Sequence, residues 1–117
     1  MTDTSIARGE IWLVDFDPTI GQEIQKARPA VVISIGAAFR YSLRIVVPIT
    51  TWQDKFAKDF WMIRLPPDSS NHLNNDSAAN AFQIRCVSQD RFSKKLGVLT
   101  SEQVDKIAQA VAYCIGL

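Results

Sequence analysis

The chain is poor in the groups that most enzymes use for acid–base and metal chemistry. Its only histidine is His72, set in an Asn-rich stretch. A zinc site built on paired histidines and a thiol nucleophile activated by histidine both lack their parts. His72 itself reads as a solvated loop residue. The two cysteines, Cys86 and Cys114, fall in different elements without metal-ligand spacing. They read as buried free thiols of a reducing compartment. A Gly-rich phosphate loop is also missing, which removes a usual part of the equipment for nucleotide hydrolysis. Net charge is only +1. Binding duplex DNA by bulk charge needs more than that, although a local basic groove is compatible with it. No apolar run approaches the roughly 18 residues of a spanning helix, and Met1 to Ala7 has no apolar stretch of a signal peptide. A cytoplasmic protein without metal or cofactor is expected.

What remains is ordinary globular material. The 117 residues are 47% hydrophobic and 21% charged, which suits one domain spanning 1–117. A domain of this size buries roughly two-thirds of its unfolded surface, enough for a core without staples. Short strands come first. Glu10 to Phe16 alternates, Ala30 to Ile35 is a β-branched run suited to burial on both faces, and Arg44 to Thr50 is another. Pro48 lacks an N–H, so its part of the strand is expected at an edge or bulge. Asp59 to Leu65, stopped by Pro66-Pro67, and Ala81 to Ser88 read as further strands. Lys95 to Leu99 is a candidate sixth, with Gly97 against it. Gly36 to Ser42 could hold a helical turn. Asp68 to Asp76 reads as a polar surface loop with local mobility.

The end of the chain is a helix. Thr100 and Gln103 form a capping-box pattern. Val104, Ile107, Ala108, Val111 and Ile115 then build one apolar stripe that covers the core, and Gly116 supplies the stop. Short strands followed by a terminal helix suggest a small, strongly bent sheet or barrel.

Candidate chemistry concentrates in the long loop between the first two strands, which holds an acid, Glu23, and leads to a base, Arg28. Loops of this length inside a small domain are usually functional or disordered, and the composition argues against disorder. Pro29 pushes Arg28 toward an extended backbone, and a held guanidinium is a good phosphate clamp. The plainer reading is a surface charge at a loop end. Thr50 and Thr51 end a strand, where alternation puts only one of them on a given face. Their plainer role is to satisfy loop backbone. Gln83 and Arg85 flank Ile84 and share a strand face, either a wet surface or a binding one.

These residues match a known pattern. Arg8-Gly9-Glu10-Ile11-Trp12, Val14-Asp15-Phe16-Asp17-Pro18-Thr19, Gly21-x-Glu23, Arg28-Pro29-Ala30-Val31-Val32-Ile33-Ser34, Pro48-Ile49-Thr50-Thr51 and Gln83-Ile84-Arg85 resemble, in order, the MazF/PemK family of toxins. The resemblance implies an SH3-like, CcdB/MazF-type small barrel, mainly β with a C-terminal α-helix, and a homodimer. It implies the toxin of a type II toxin–antitoxin system, a metal-independent endoribonuclease that cuts single-stranded RNA at short sequences. Cleavage would leave 2′,3′-cyclic phosphate and 5′-hydroxyl ends. A cognate antitoxin with a flexible acidic tail would fill the RNA groove. By the same resemblance Arg28 and Thr50 are catalytic, while Glu23, Lys26, Thr51, Gln83 and Arg85 contact or shape the RNA site. The chain departs from the family pattern at Ile24-Gln25-Lys26-Ala27, where glycine is frequent, and at Ala78-Ala79-Asn80-Ala81, where bulkier aliphatics are usual. Two alternatives share the fold: a gyrase poison like CcdB, and an inactive member that only binds antitoxin or RNA.

Overall fold

A computed structural model describes residues 6–35 and 42–117, so a helical turn over Gly36 to Ser42 falls outside the described residues. Seven antiparallel strands form a single sheet: β1 (Glu10–Asp15), β2 (Ala27–Val32), β3 (Leu43–Thr51), β4 (Met62–Leu65), β5 (Ser77–Asn80), β6 (Arg85–Ser88) and β7 (Phe92–Val98). One helix follows, α1 (Ser101–Cys114). The strand order is β4-β5-β3-β2-β1-β7, with β6 also on β3.

β3 organises the molecule. Along one edge it pairs with β2. Along the other, Leu43 to Val46 pair with β6 and Ile49 to Thr51 pair with β5. Pro48 stands where one partner gives way to the other. A residue without an N–H suits such a gap, so Pro48 marks a change of neighbour rather than a sheet edge.

Alternation along the central strands feeds two apolar clusters. Val31, Val47 and Ile49 point into one, closed by Leu99, Val104 and Ile107. Ala30, Val32 and Val46 point into the other with Val14 and Phe16. Burial on both faces is what the β-branched runs require. Arg44 is an exception inside β3, fully buried. Its Nε donates to the Ile6 carbonyl at 3.2 Å and its Nη1 to the Leu43 carbonyl at 2.9 Å. A buried guanidinium needs such acceptors. Here it ties the segment before β1 to β3.

The helix forms as its sequence dictates. The Gln103 N–H donates to Thr100 Oγ1 at 3.1 Å, and the Thr100 N–H donates to Gln103 Oε1 at 3.0 Å. The buried face is Val104, Ile107 and Ala110, while Ile115 lies past the helix end and is exposed. The stripe therefore ends a turn earlier than its periodicity suggests. Thr100→Ala is expected to cost about 1 kcal/mol, read as a lower urea midpoint with unchanged m-value. An unchanged midpoint would show that the cap contributes nothing.

Other elements shift from their sequence boundaries. The expected strand Ala81 to Ser88 is broken by a 3-10 turn, Ala81–Gln83, and pairing resumes only at Arg85. Asn80 caps that turn by accepting from the Phe82 N–H at 3.1 Å. β4 is shorter than expected because residues 59–61 turn, with the Met62 N–H donating to Asp59 O at 3.0 Å, before pairing starts at Met62. β7 is longer and passes through Gly97. The cysteines are free but not buried as expected: Cys86, on β6, is exposed, and Cys114, at the helix end, is half-buried.

Gly97 explains the loop from Pro66 to Asp76. A Cβ there would lie 2.5 Å from the carbonyl oxygens of Ser70 and Asn71, and the Val98 N–H donates to Ser70 O at 3.0 Å. The loop is stitched rather than loose. Asn71 is fully buried. Its Oδ1 accepts from the Asp68 and Leu73 N–H groups, each at 3.0 Å, and its Nδ2 donates to Pro66 O at 2.9 Å. Asp68 Oδ1 accepts from the Ser70 and Asn71 N–H groups at 2.8 and 2.7 Å.

At the start of β1, Glu10 is held by three donors. Its Oε1 accepts from the Ala7 N–H and from Trp12 Nε1, and its Oε2 lies 2.9 Å from Lys95 Nζ. Partial burial opposes ionisation, but these bonds outweigh it and keep the carboxyl below the usual glutamate value. No helix among the described residues is long and apolar enough to cross a membrane.

Candidate active site

Arg28 and Thr50 come from neighbouring strands. Arg28 sits in β2 opposite Val14, and Thr50 sits in β3 opposite Ala78. Both are half-buried. Together they line a cavity of about 180 Å³ with Thr51, Leu73, Asn74, Asn75 and Ser77. Alternation predicts that only one of the threonines reaches this face. The cavity lies at the end of β3, and both contribute to its wall. Arg28 Nε donates to the Gln25 carbonyl at 3.0 Å. That bond uses one edge of the guanidinium and sets its direction.

Glu23, Gln83 and Arg85 line a second, larger cavity of about 380 Å³ with Phe16, Ile24 and Phe82. Pro48, next to Ile49 of the first cavity, is in its wall. The Phe82 ring stands at this cavity 67% exposed. Gln83 and Arg85 reach the same cavity for a reason other than strand alternation, since Gln83 belongs to the 3-10 turn.

Their polar atoms are turned to the loop between β1 and β2. Gln83 Oε1 accepts from the Ile24 N–H at 2.9 Å, and Gln83 Nε2 donates to Gln22 O at 3.0 Å. Arg85 Nη1 donates to Phe16 O at 2.9 Å, and its guanidinium lies 5.7 Å from the Phe16 ring centroid. Glu23 closes a turn inside the loop: its Oε1 accepts from the Ile20 N–H at 2.6 Å. Lys26 is exposed, has a positive φ of 66° and lines neither cavity. His72 is also exposed with positive φ, a loop residue as its sequence context indicates.

Sequence reasoning missed Asn74, Asn75 and Ser77. Their signal was the Asn-rich stretch itself, read only as a surface loop. Behind it, Asp76 is paired with Arg64 through Nε at 3.0 Å, and Arg64 lies 4.8 Å over the Trp52 ring. The Arg64 guanidinium holds the Asp76 carboxyl below the usual aspartate range. The Trp52 N–H donates to the Asp76 carbonyl at 2.9 Å, which fixes the loop end beside the cavity. Among the described residues no three His, Cys, Asp or Glu side chains converge as a metal-ligand group.

This sheet and helix have counterparts among solved structures. MazF from Deinococcus radiodurans matches with a TM-score of 0.79 at 20% identity, covering 95% of this chain and 96% of that one. An endoribonuclease in complex with its cognate antitoxin, from a mycobacterial species, matches with a TM-score of 0.73 at 23% identity, covering 95% of each chain. Such likeness shows the fold. Sequence similarity carries further. Endoribonuclease MazF9 of Mycobacterium tuberculosis is 33% identical over 116 residues, covering 94% of this chain and 96% of that protein. Endoribonuclease MazF of Staphylococcus saprophyticus is 28% identical over 110 residues, covering 94% and 91%. The family model described as PemK-like, MazF-like toxin of type II toxin-antitoxin system matches residues 7–115. The chain belongs to that toxin family.

Proposed function

We propose that this toxin is an endoribonuclease that cuts single-stranded RNA without a metal ion, with Arg28 and Thr50 at the scissile phosphate. The observation that carries the reading is the convergence of these two side chains on one cavity in a chain of this family. The RNA 2′-hydroxyl gives up its proton as its oxygen bonds to phosphorus, and the bond from phosphorus to the 5′-oxygen breaks as that oxygen takes up a proton. The products are a 2′,3′-cyclic phosphate and a 5′-hydroxyl. Charge builds on the phosphoryl oxygens during attack, and a positioned guanidinium stabilises it. A guanidinium donates hydrogen bonds and accepts none, so the part of Arg28 is charge stabilisation. The Thr50 hydroxyl offers a hydrogen bond to the same centre. Thr51 lies beside it, and Lys26 supplies a positive charge on the exposed loop.

The larger cavity is the path for the flanking nucleotides. Glu23, Gln83 and Arg85 shape its wall, and the exposed Phe82 ring offers a face on which an unpaired base can stack. Incubation of mixed RNAs in EDTA, followed by sequencing of the new ends and phosphate analysis, tests the proposal. Cleavage with cyclic phosphate ends is expected. Activity lost in EDTA and restored by a divalent ion would overturn it, and intact RNA would favour a binding toxin or an inactive member.

The toxin is proposed to act as a homodimer, held in check by an antitoxin with an acidic, flexible tail. Ile35, Leu43 and Ile45 form exposed apolar surface around the start of β3, and removing it from water favours association. Carboxylates of the tail would meet Arg28 and Arg85 and exclude RNA. Light scattering at micromolar concentration should give the mass of two chains, and a single-chain mass would end the dimer proposal. The antitoxin should also compete with an RNA oligonucleotide. Simultaneous binding of both would show that inhibition works elsewhere.

A further inference from the structure

Arg91 belongs to neither cavity. It closes the 3-10 turn Gln89–Arg91 between β6 and β7, far along the sequence from Arg28. Yet its Nη1 donates to two carbonyls at the exit of β1, Asp15 O at 3.0 Å and Asp17 O at 2.6 Å. Arg85 takes the carbonyl between them, Phe16 O. Two arginines thus hold three consecutive carbonyls where the chain leaves β1. At the other end of the loop, Gln83 takes Gln22 O and the Ile24 N–H.

Within the loop and its base, the Phe16 N–H donates to Lys26 O at 3.1 Å and Glu23 ties the turn at Ile20, but apolar packing adds little. Glu23 and Lys26 are exposed, Ile20 is 84% exposed, and apolar anchoring comes from Phe16 and Ile24. A segment with few buried apolar contacts opens at low free energy, so bonds from a neighbouring element decide its shape. Beyond the Phe16 to Lys26 bond and the loop's own turn, they come from residues 83–91. The loop then runs into Gln25, whose carbonyl holds the Arg28 guanidinium.

We infer that Arg91 is a positioning residue for Arg28. By pinning the exit of β1 it fixes the loop, and the loop fixes the carbonyl that aims the guanidinium into the Thr50 cavity. The inference rests on the nuclease reading, because it assigns Arg91 an effect on the rate of RNA cleavage. A displacement of about 1 Å at a reacting group can cost up to roughly a hundredfold in rate, so a distant clamp can matter without touching substrate.

Arg91→Ala and Arg91→Lys decide it, assayed at a temperature where circular dichroism shows both folded. Arg91→Ala should lower kcat by about tenfold or more with KM within about threefold. It should speed amide exchange in residues 16–26 without RNA. Arg91→Lys keeps a charged donor and should recover part of both. In an Arg28→Ala background, Arg91→Ala should add little further loss, because the two act through one group. An unchanged kcat, or an equal loss on top of Arg28→Ala, overturns the inference. So does unchanged exchange in the loop. If the parent toxin cuts no RNA, the nuclease reading itself has failed, and the exchange data show separately whether the clamp exists.

Discussion

Arg28→Ala and Thr50→Ala are each expected to slow RNA cleavage by at least roughly a hundredfold, the scale for losing a group that stabilises transition-state charge. The chain should stay folded in both cases. Arg28 and Thr50 are half-buried at strand ends, outside the two apolar clusters, so truncation leaves no hole in the core. Arg28→Lys should rescue poorly. An ammonium keeps the charge but loses the planar fork that can bond Gln25 O and phosphate together. Thr51→Ala is the internal control. Thr51 shares the cavity wall but is more exposed, so its loss should change RNA affinity more than rate. If Thr51→Ala abolishes cleavage and Thr50→Ala does not, the roles of the two threonines are exchanged. If Arg28→Ala cuts normally, the cavity is not the active site.

Gly97→Ala should be among the most damaging substitutions in the chain despite its small size. The added methyl would meet two backbone carbonyl oxygens at 2.5 Å, and backbone in a stitched loop cannot swing aside as a side-chain tip can. Overpacking of this kind costs about 1–3 kcal/mol. For a domain of this size that lowers the melting temperature by about 4 °C or more. Activity should fall with stability. The displaced loop carries Leu73, Asn74 and Asn75 into the Arg28 cavity, so a shift at its root moves their side chains. Thermal melts and cleavage rates measured below the transition separate the two effects. A melting temperature equal to that of the parent would show that the loop does not approach β7 so closely.

Local sequence signals were enough for most of the architecture. The β-branched runs around Val31 and Val46 marked strands buried on both faces, and Thr100 with Gln103 marked the helix start. Signals failed where a distant partner decides the outcome. Gly97 argued against a strand on local grounds, yet it is the residue that lets a loop lie against β7. The Asn-rich stretch looked like a loose surface loop because Asn71 gives no local hint that it is buried. Gln83 and Arg85 were grouped by alternation, but a 3-10 turn removes that argument and their side-chain bonds run to Gln22, Ile24 and Phe16. The candidate pair Arg28 and Thr50 came from family resemblance, since spacing along a chain cannot report a cavity. Arg91 carries no sequence signal. An isolated arginine in a turn has no pattern, and its meaning lies in carbonyls more than seventy residues away.

The double partnership of β3 bears on how such a poison comes into being. One half of the strand is paired with β6, next to the residues that grip the loop, and the other half presents Thr50 beside β5. Arg28 arrives from β2 on the opposite edge. A slip of one residue would exchange Thr50 for Thr51 and turn Arg44 out of the core, because side chains alternate along a strand. With Arg28 and Thr50 in the roles proposed for them, a half-built form would have no working blade. A chain still emerging, misfolded or cut short of β6 lacks the element that grips the loop leading to Arg28. On the proposed roles, activity would be tied to completion of the fold.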